Sequence, residues 1–166
     1  MSNAETVTQY ATFVVDELFF GIDVLRVQEV LRYQKMTRVP LSPAVAEGLI
    51  NLRGQIVTAL DMRSRLGIPV RGPGRLPMNL VVRTEEGPVS LLVDEIGDVL
   101  QLDQSTFEQA PENLTPAARE LIRGVYKLKD RLLLVLDPDK TLEVDEFFES
   151  RTQGSRQKGV LPKWQD

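Results

Sequence analysis

Apolar side chains alternate through residues 8–22: Tyr10, Thr12 and Val14 on one face, Phe13 and Val15 on the other. Asp16-Glu17 interrupts the run, and Leu18 to Ile22 resumes it. A two-residue period broken by two acids predicts a strand, a turn and a returning strand. The pattern then changes. In 23–32 Val24, Val27 and Leu31 stand at i, i+3 and i+7, with Arg26 and Glu29 facing away. That spacing predicts a short helix, with Asp23 as its N-cap and Arg32 near its C-terminal dipole.

Short elements continue to residue 142. Lys35–Val39 reads as a strand, and Pro40 to Pro43 as a loop. Val45 to Leu52 and Gln55 to Met62 read as a hairpin pivoting on Arg53-Gly54. Met62–Leu66 makes one helical turn ended by Gly67. The Pro- and Gly-rich stretch 69–77 is a loop, and no GKS/T or GxGxxG follows to make it a phosphate cradle. Met78 to Thr84, Val89 to Val93 and Ile96 to Leu102 are strands, with turns at Glu85–Pro88 and Asp94-Glu95. Residues 103–120 form a polar loop with a helical turn at Pro116–Leu121. Gly124 to Leu128 and Arg131 to Leu136 pair as a hairpin. Asp137-Pro138 opens a last helix with Leu142, Val144, Phe147 and Phe148 on its apolar side. Nine or ten strands and two or three short helices make a mainly β chain of one or two small barrels. Long crossover helices are missing, which excludes a parallel α/β fold.

Composition narrows the chemistry. The 166 residues suit one domain, and they include no Cys and no His. That removes disulfides, thiolate nucleophiles, Cys-ligated metals and His-based triads. It also removes the usual general base near neutral pH. A net charge of −4 disfavours general nucleic-acid binding. No apolar run reaches the ~20 residues of a membrane helix, and the N-terminus has no signal-peptide pattern, so a cytoplasmic protein is expected.

Individual candidates divide between bland and functional readings. Asp94, Glu95 and Asp98 are the densest carboxylates. Neighbours on a strand point to opposite faces, so they read as a solvated turn rather than an acid–base pair. Asp137-Pro-Asp139 has Leu142 where a calcium loop needs Gly and Phe148 where it needs Glu, so Asp137 reads as a helix cap. Ser42, Ser64 and Ser90 lack a GxSxG context. Val24, Val27, Val30 and Leu31 are either core or a partner-binding stripe, with core favoured. Arg53, between Leu52 and Gly54, is either a structural partner of a local carboxylate or an interface arginine. The basic stretch 151–166 reads as a flexible tail.

Four segments together resemble the CheW family of chemotaxis coupling proteins: GIDVLRVQEVLR (21–32), EGLINLRGQIVTALDMRSRLG (47–67), SLLVDEIGDVLQL (90–102) and GVYKLKDRLLLVLDPDKTL (124–142). The resemblance spans roughly residues 7–150, leaving 1–6 as an extension and 151–166 outside the family pattern. It implies two five-stranded, SH3-like β-barrel subdomains around a shared core. It implies a non-enzymatic adaptor without cofactor, joining chemoreceptor cytoplasmic tips to the regulatory domain of a CheA-type histidine kinase in signalling arrays. Other copies of the family in rings are further expected partners. Nucleic acid and direct membrane insertion are not expected. By position, Val24, Val27, Glu29, Gly48 and Arg53 are receptor-contact candidates, an apolar groove between barrels being suited to a helical tip. Thr37, Val39, Leu41, Gln55 and Val57 are kinase-contact candidates. The absence of a receiver-like continuation disfavours a CheV arrangement, and the absence of an ATP-binding motif excludes CheA itself. A CheW-like adaptor of a pilus-motility or surface-sensing pathway is the alternative.

Overall fold

Strands alternating between two apolar environments organise this computed structural model, which describes residues 6–38 and 46–142. Val7–Val15 (β1) and Leu18–Asp23 (β2) form the first hairpin, as the alternation requires. The chain then enters a second sheet through a 3-10 turn at Val24–Arg26 and Val27–Leu31 (β3). Ala46–Leu52 (β4), Gln55–Asp61 (β5), Met78–Thr84 (β6) and Gly87–Val93 (β7) complete that sheet. Glu95–Asp103 (β8), Ile122–Lys127 (β9) and Leu132–Leu136 (β10) return to the first. Among the described residues three short α-helices, Met62–Leu66 (α1), Pro116–Leu121 (α2) and Pro138–Thr141 (α3), follow β5, precede β9 and follow β10.

The two five-stranded sheets share one topology. The first runs β8-β1-β2-β10-β9 and the second β3-β6-β7-β5-β4. In each, two antiparallel hairpins meet at a parallel pair, β2 with β10 and β5 with β7. Neither ladder closes among the described residues, but each sheet curls until the segment after one edge strand bridges the other. Thr37 pairs with Leu49 of β4, and Glu108 pairs with Val125 of β9.

The apolar pattern follows from this arrangement. Phe20 and Ile22 of β2, Leu80 and Val82 of β6, Leu91 and Val93 of β7, and Leu134 and Leu136 of β10 enter the core shared by both sheets. The residues between them face inner clusters: Phe19, Leu133 and Val135 in the first sheet, Val81 and Leu92 in the second. Both faces of these strands are therefore buried, and each Leu or Val contributes about 1.5–3 kcal/mol by leaving water. A simple hydrophobic-in, polar-out alternation is absent for the same reason.

The helix expected over 23–32 is not formed. Asp23 does cap, its carboxylate accepting Leu25 N–H at 3.0 Å, but only a 3-10 turn follows. From Val27 the chain extends and pairs with β6, Val27 opposite Val82 and Val30 opposite Leu80. β-Branched Val27 and Val30 favour that ladder over a short isolated helix. Of the strand expected at Lys35–Val39, the described part contributes only the Thr37 bridge. Residues 39–45 and everything after 142 lie outside the described residues. The one-turn helices expected at Met62–Leu66 and Pro116–Leu121 form, with Asp61 and Thr115 found as their caps, and Gly67 ends α1 in the left-handed region at φ 71°. The last helix opens at Pro138 under the Asp137 cap as expected and is described to Thr141, while Val144, Phe147 and Phe148 of its expected apolar side lie outside the described residues.

Candidate interaction surface

The β4–β5 hairpin turns on two left-handed residues, Arg53 at φ 53° and Gly54 at φ 85°. Consecutive positive φ angles match the right-handed twist of the flanking strands, and Asn51 Oδ1 supports the turn by accepting Gly54 N–H at 2.8 Å. The turn places Arg53 across the seam between edge strands β4 and β3. There its Nη1 and Nη2 each donate to one oxygen of Glu29 at 2.6 Å. This fork-to-fork pair is the strongest geometry available to the two groups. It lowers the Glu29 pKa, chiefly through the Arg53 hydrogen bonds, and raises that of Arg53. The Arg53 side chain is nevertheless 70% exposed. Of the two readings of Arg53, the geometry supplies a carboxylate partner, though one 24 residues away rather than local, and it leaves the arginine open to solvent.

The other end of the seam is the Thr37–Leu49 bridge, two backbone hydrogen bonds of 2.8 Å each. Gly48 makes it possible. A Cβ at Gly48 would lie 2.8 Å from the Thr37 carbonyl oxygen and 3.2 Å from Met36 Cβ. Gly124 occupies the equivalent position in the first sheet, where a Cβ would collide with the Glu108 carbonyl and the Phe107 ring. Gly48 thus clears space for the seam to close.

Glu29, Arg53, Gly48 and exposed Thr37 and Gln55 all lie along this seam or its hairpin. Val24 and Val27 do not. They sit where the chain crosses from one sheet to the other, half-buried, Val27 against the shared core. Val57 is fully buried inside the second sheet, which removes it from any partner-facing surface and makes it a support for that surface. Val39 and Leu41 lie outside the described residues. Two apolar side chains near the ion pair along the chain are exposed: Ile56, 62%, which sequence did not single out, and Val30, 41%, which sequence read with Val24, Val27 and Leu31 as core or a partner-binding stripe. Each adjoins buried or half-buried apolar neighbours in sequence, so periodicity had no signal for its exposure.

Of the carboxylates expected in a solvated turn, Glu95 and Asp98 are exposed, and Asp94 alone behaves differently. Asp94 is 3% exposed at its side chain. Arg63 Nε donates to its Oδ1 at 3.0 Å, Arg63 Nη2 to its Oδ2 at 2.7 Å, and Asp16 N–H to Oδ2 at 2.6 Å. Arg71 Nε lies 2.8 Å from Oδ1, and its Nη1 is 3.2 Å from Asp61 Oδ1. Burial pushes the Asp94 pKa up, but the Arg63 hydrogen bonds, the Asp16 amide and both guanidinium charges bring it below the ordinary carboxylate value. Asp16, Asp61 and Asp94 do converge, which their sequence spacing hid, but around two arginines. A carboxylate held ionised in this way makes a poor proton donor or base near neutral pH.

Known proteins similar to this chain point to one family. The family model described as "CheW-like domain" matches residues 9–146. The chain is 32% identical over 144 residues to chemotaxis protein CheW of Klebsiella aerogenes, covering 86% of this chain and 87% of that one. It is 27% identical over 134 residues to Protein PilI of Pseudomonas aeruginosa, covering 79% and 73%. The crystal structure of scaffolding protein TtCheW from Thermoanaerobacter tengcongensis superposes with a TM-score of 0.70 at 26% identity, covering 78% and 88%. No helix among the described residues is long and apolar enough to cross a membrane.

Proposed function

Because the chain belongs to the CheW-like family, we propose that it is a non-enzymatic chemotaxis adaptor that holds two partners in one assembly. The partners are the cytoplasmic tip of a methyl-accepting chemoreceptor and the regulatory domain of a CheA-type histidine kinase. The observation that carries this reading is the family match over 9–146, nearly all of the described chain. Its place of action is the cytoplasm, at receptor arrays, where further copies of the family complete rings. Individual contacts can be weak there because array multivalency supplies avidity.

The seam supports the assignment of contact residues. Exposed Arg53 and partly buried Glu29 form a pre-organised ion pair, and Val30 and Ile56 of the same two edge regions are also exposed. Arginine and exposed apolar side chains are enriched in interfaces. Arg53 and Glu29 would touch the receptor, with Gly48 shaping the seam beneath, and Val24 and Val27 belong to the same proposed contact from the crossing between the sheets. Thr37 and Gln55 would face the kinase, with Val57 supporting them from the core; Val39 and Leu41 belong to the same proposed contact.

The test is a binding assay of the purified chain against every chemoreceptor cytoplasmic fragment and CheA-type kinase of the same cell. Binding to at least one receptor and one kinase is expected, and failure to bind any of them overturns the adaptor reading. The match to Protein PilI favours one second reading, an adaptor of the same kind in a pilus-motility or surface-sensing pathway. The identity of the kinase retained in the assay separates the two.

A further inference from the structure

The chain passes between the two sheets at two places among the described residues, Asp23–Val27 and Asp94. Each crossing carries an ionic contact, and the two differ sharply in burial. At the first, Arg26 Nη2 reaches Asp139 of α3 at 2.9 Å, with side chains 29% and 68% exposed. Its companion Arg83 donates to the Leu25 and Val27 carbonyls at 3.1 and 2.7 Å. At the second, Asp94 is the single residue between β7 and β8, and its carboxylate is almost wholly enclosed.

The contacts of Asp94 come from both sheets. Arg63 belongs to α1, which follows β5 of the second sheet, and Arg71 to the loop after it. Asp16 N–H, in the β1–β2 turn of the first sheet, donates to Asp94 Oδ2, and Asp94 N–H donates to the Val14 carbonyl at 2.9 Å. Arg63 Nη1 donates to the Pro69 carbonyl in the loop after α1, and Arg71 Nη2 to the Leu92 carbonyl of β7 in the second sheet. The shared apolar core holds the sheets together, but apolar burial is non-directional. Directional, charge-assisted contacts are what select one angle among many that bury similar area.

We propose that Asp94, with Arg63 and Arg71, is a latch that sets the angle between the two sheets and so fixes how surfaces on one stand relative to surfaces on the other. For signalling this rests on the adaptor reading above: an adaptor relays a partner's movement only if its own halves move as one body. Asp94 is then a positioning residue, acting through the sheets it joins.

The experiment exploits the absence of native Cys. Glu86→Cys in the β6–β7 turn and Lys129→Cys in the β9–β10 turn place one spin label on each sheet at exposed positions. Pulsed dipolar spectroscopy on the full chain then reads the distance between sheets without any partner. A single narrow distance is expected. Asp94→Asn should broaden or shift it, and so should Arg71→Gln, which removes only the loop's contribution and keeps the test open if Asp94→Asn does not fold. Arg26→Gln, at the exposed crossing, should leave it narrow. An unchanged narrow distance in folded Asp94→Asn or Arg71→Gln overturns the latch. In the reconstituted receptor–kinase assembly, Arg71→Gln should retain kinase affinity within about twofold while receptor control of kinase activity falls several-fold. Unchanged control would overturn the signalling consequence. If the unsubstituted chain binds no partner, the adaptor reading fails while the distance measurement still decides the latch.

Discussion

Replacing Gly48 by Ala separates a residue that touches a partner from one that lets the seam close. The new Cβ would begin 2.8 Å from the Thr37 carbonyl oxygen. A carbon rests against a carbonyl oxygen at about 3.3 Å or more, so the strands must part by roughly 0.5 Å, the difference between those two distances. Both bridge hydrogen bonds are 2.8 Å long, and the same displacement takes them to the edge of good geometry, near ~3.3 Å. Losing two neutral backbone hydrogen bonds costs about 2 kcal/mol. Gly48 has no positive φ, so alanine returns about 0.4–1 kcal/mol through the unfolded chain. The expected net loss is about 1–2 kcal/mol, a fall in Tm of roughly 2–8 °C for a domain of this size. Calorimetry gives that value. Amide hydrogen exchange localises it, with Leu49 N–H losing protection while the β6–β7 ladder keeps it. The reasoning is refuted if Gly48→Ala keeps its Tm and its Leu49 protection yet no longer binds receptor. Gly48 would then be a contact and its clearance role incidental.

Arg53→Asn should weaken receptor binding by tenfold or more while leaving Tm within about 2 °C, because asparagine accepts the left-handed backbone and an ion pair whose arginine is 70% exposed adds little stability; titration calorimetry against the receptor fragment and a thermal melt check the two halves. Gly124→Ala should cost more than Gly48→Ala, since its Cβ meets both the Glu108 carbonyl and the Phe107 ring, and a smaller fall in Tm would contradict the clearance account. Asp94 has a folded pKa below its ordinary 3.8, so its contribution is fully present above that value and is lost as pH falls through the folded pKa. The stability gap between the unsubstituted chain and Asp94→Asn, followed by urea midpoints, should therefore be constant above about pH 5 and shrink in acid; a gap that does not narrow by pH 3 would assign the latch to something other than the carboxylate charge.

Local pattern read most of the strands. Pairs such as Met78–Thr84 and Gly87–Val93 are dense in β-branched and apolar residues between strong turn signals, so strand pairing and side-chain chemistry agree. The capping carboxylates Asp23 and Asp137 were also legible, because they bond amides two or three residues away. The segment 23–32 failed because Val24, Val27 and Leu31 suit a helical stripe as well as a strand, and the deciding partner, β6, begins at Met78. Of the proposed contact residues, Arg53 stood out by its turn position, while its partner Glu29, 24 residues away, carried no local mark.

The sequence alone determined that this is a mainly β chain, short in every element, without His or Cys chemistry, and bearing the motifs of the CheW family. Tertiary structure decided which apolar residues are surface and which are core. Ile56 and Val57 are adjacent and similar, yet one is 62% exposed and the other fully buried. It also turned Asp94 from an expected solvated acid into a buried one held by Arg63 and Arg71. The reason is physical: burial and ion pairing depend on groups brought from 23 or 31 residues away once both sheets form, and strand periodicity records only alternation along one segment.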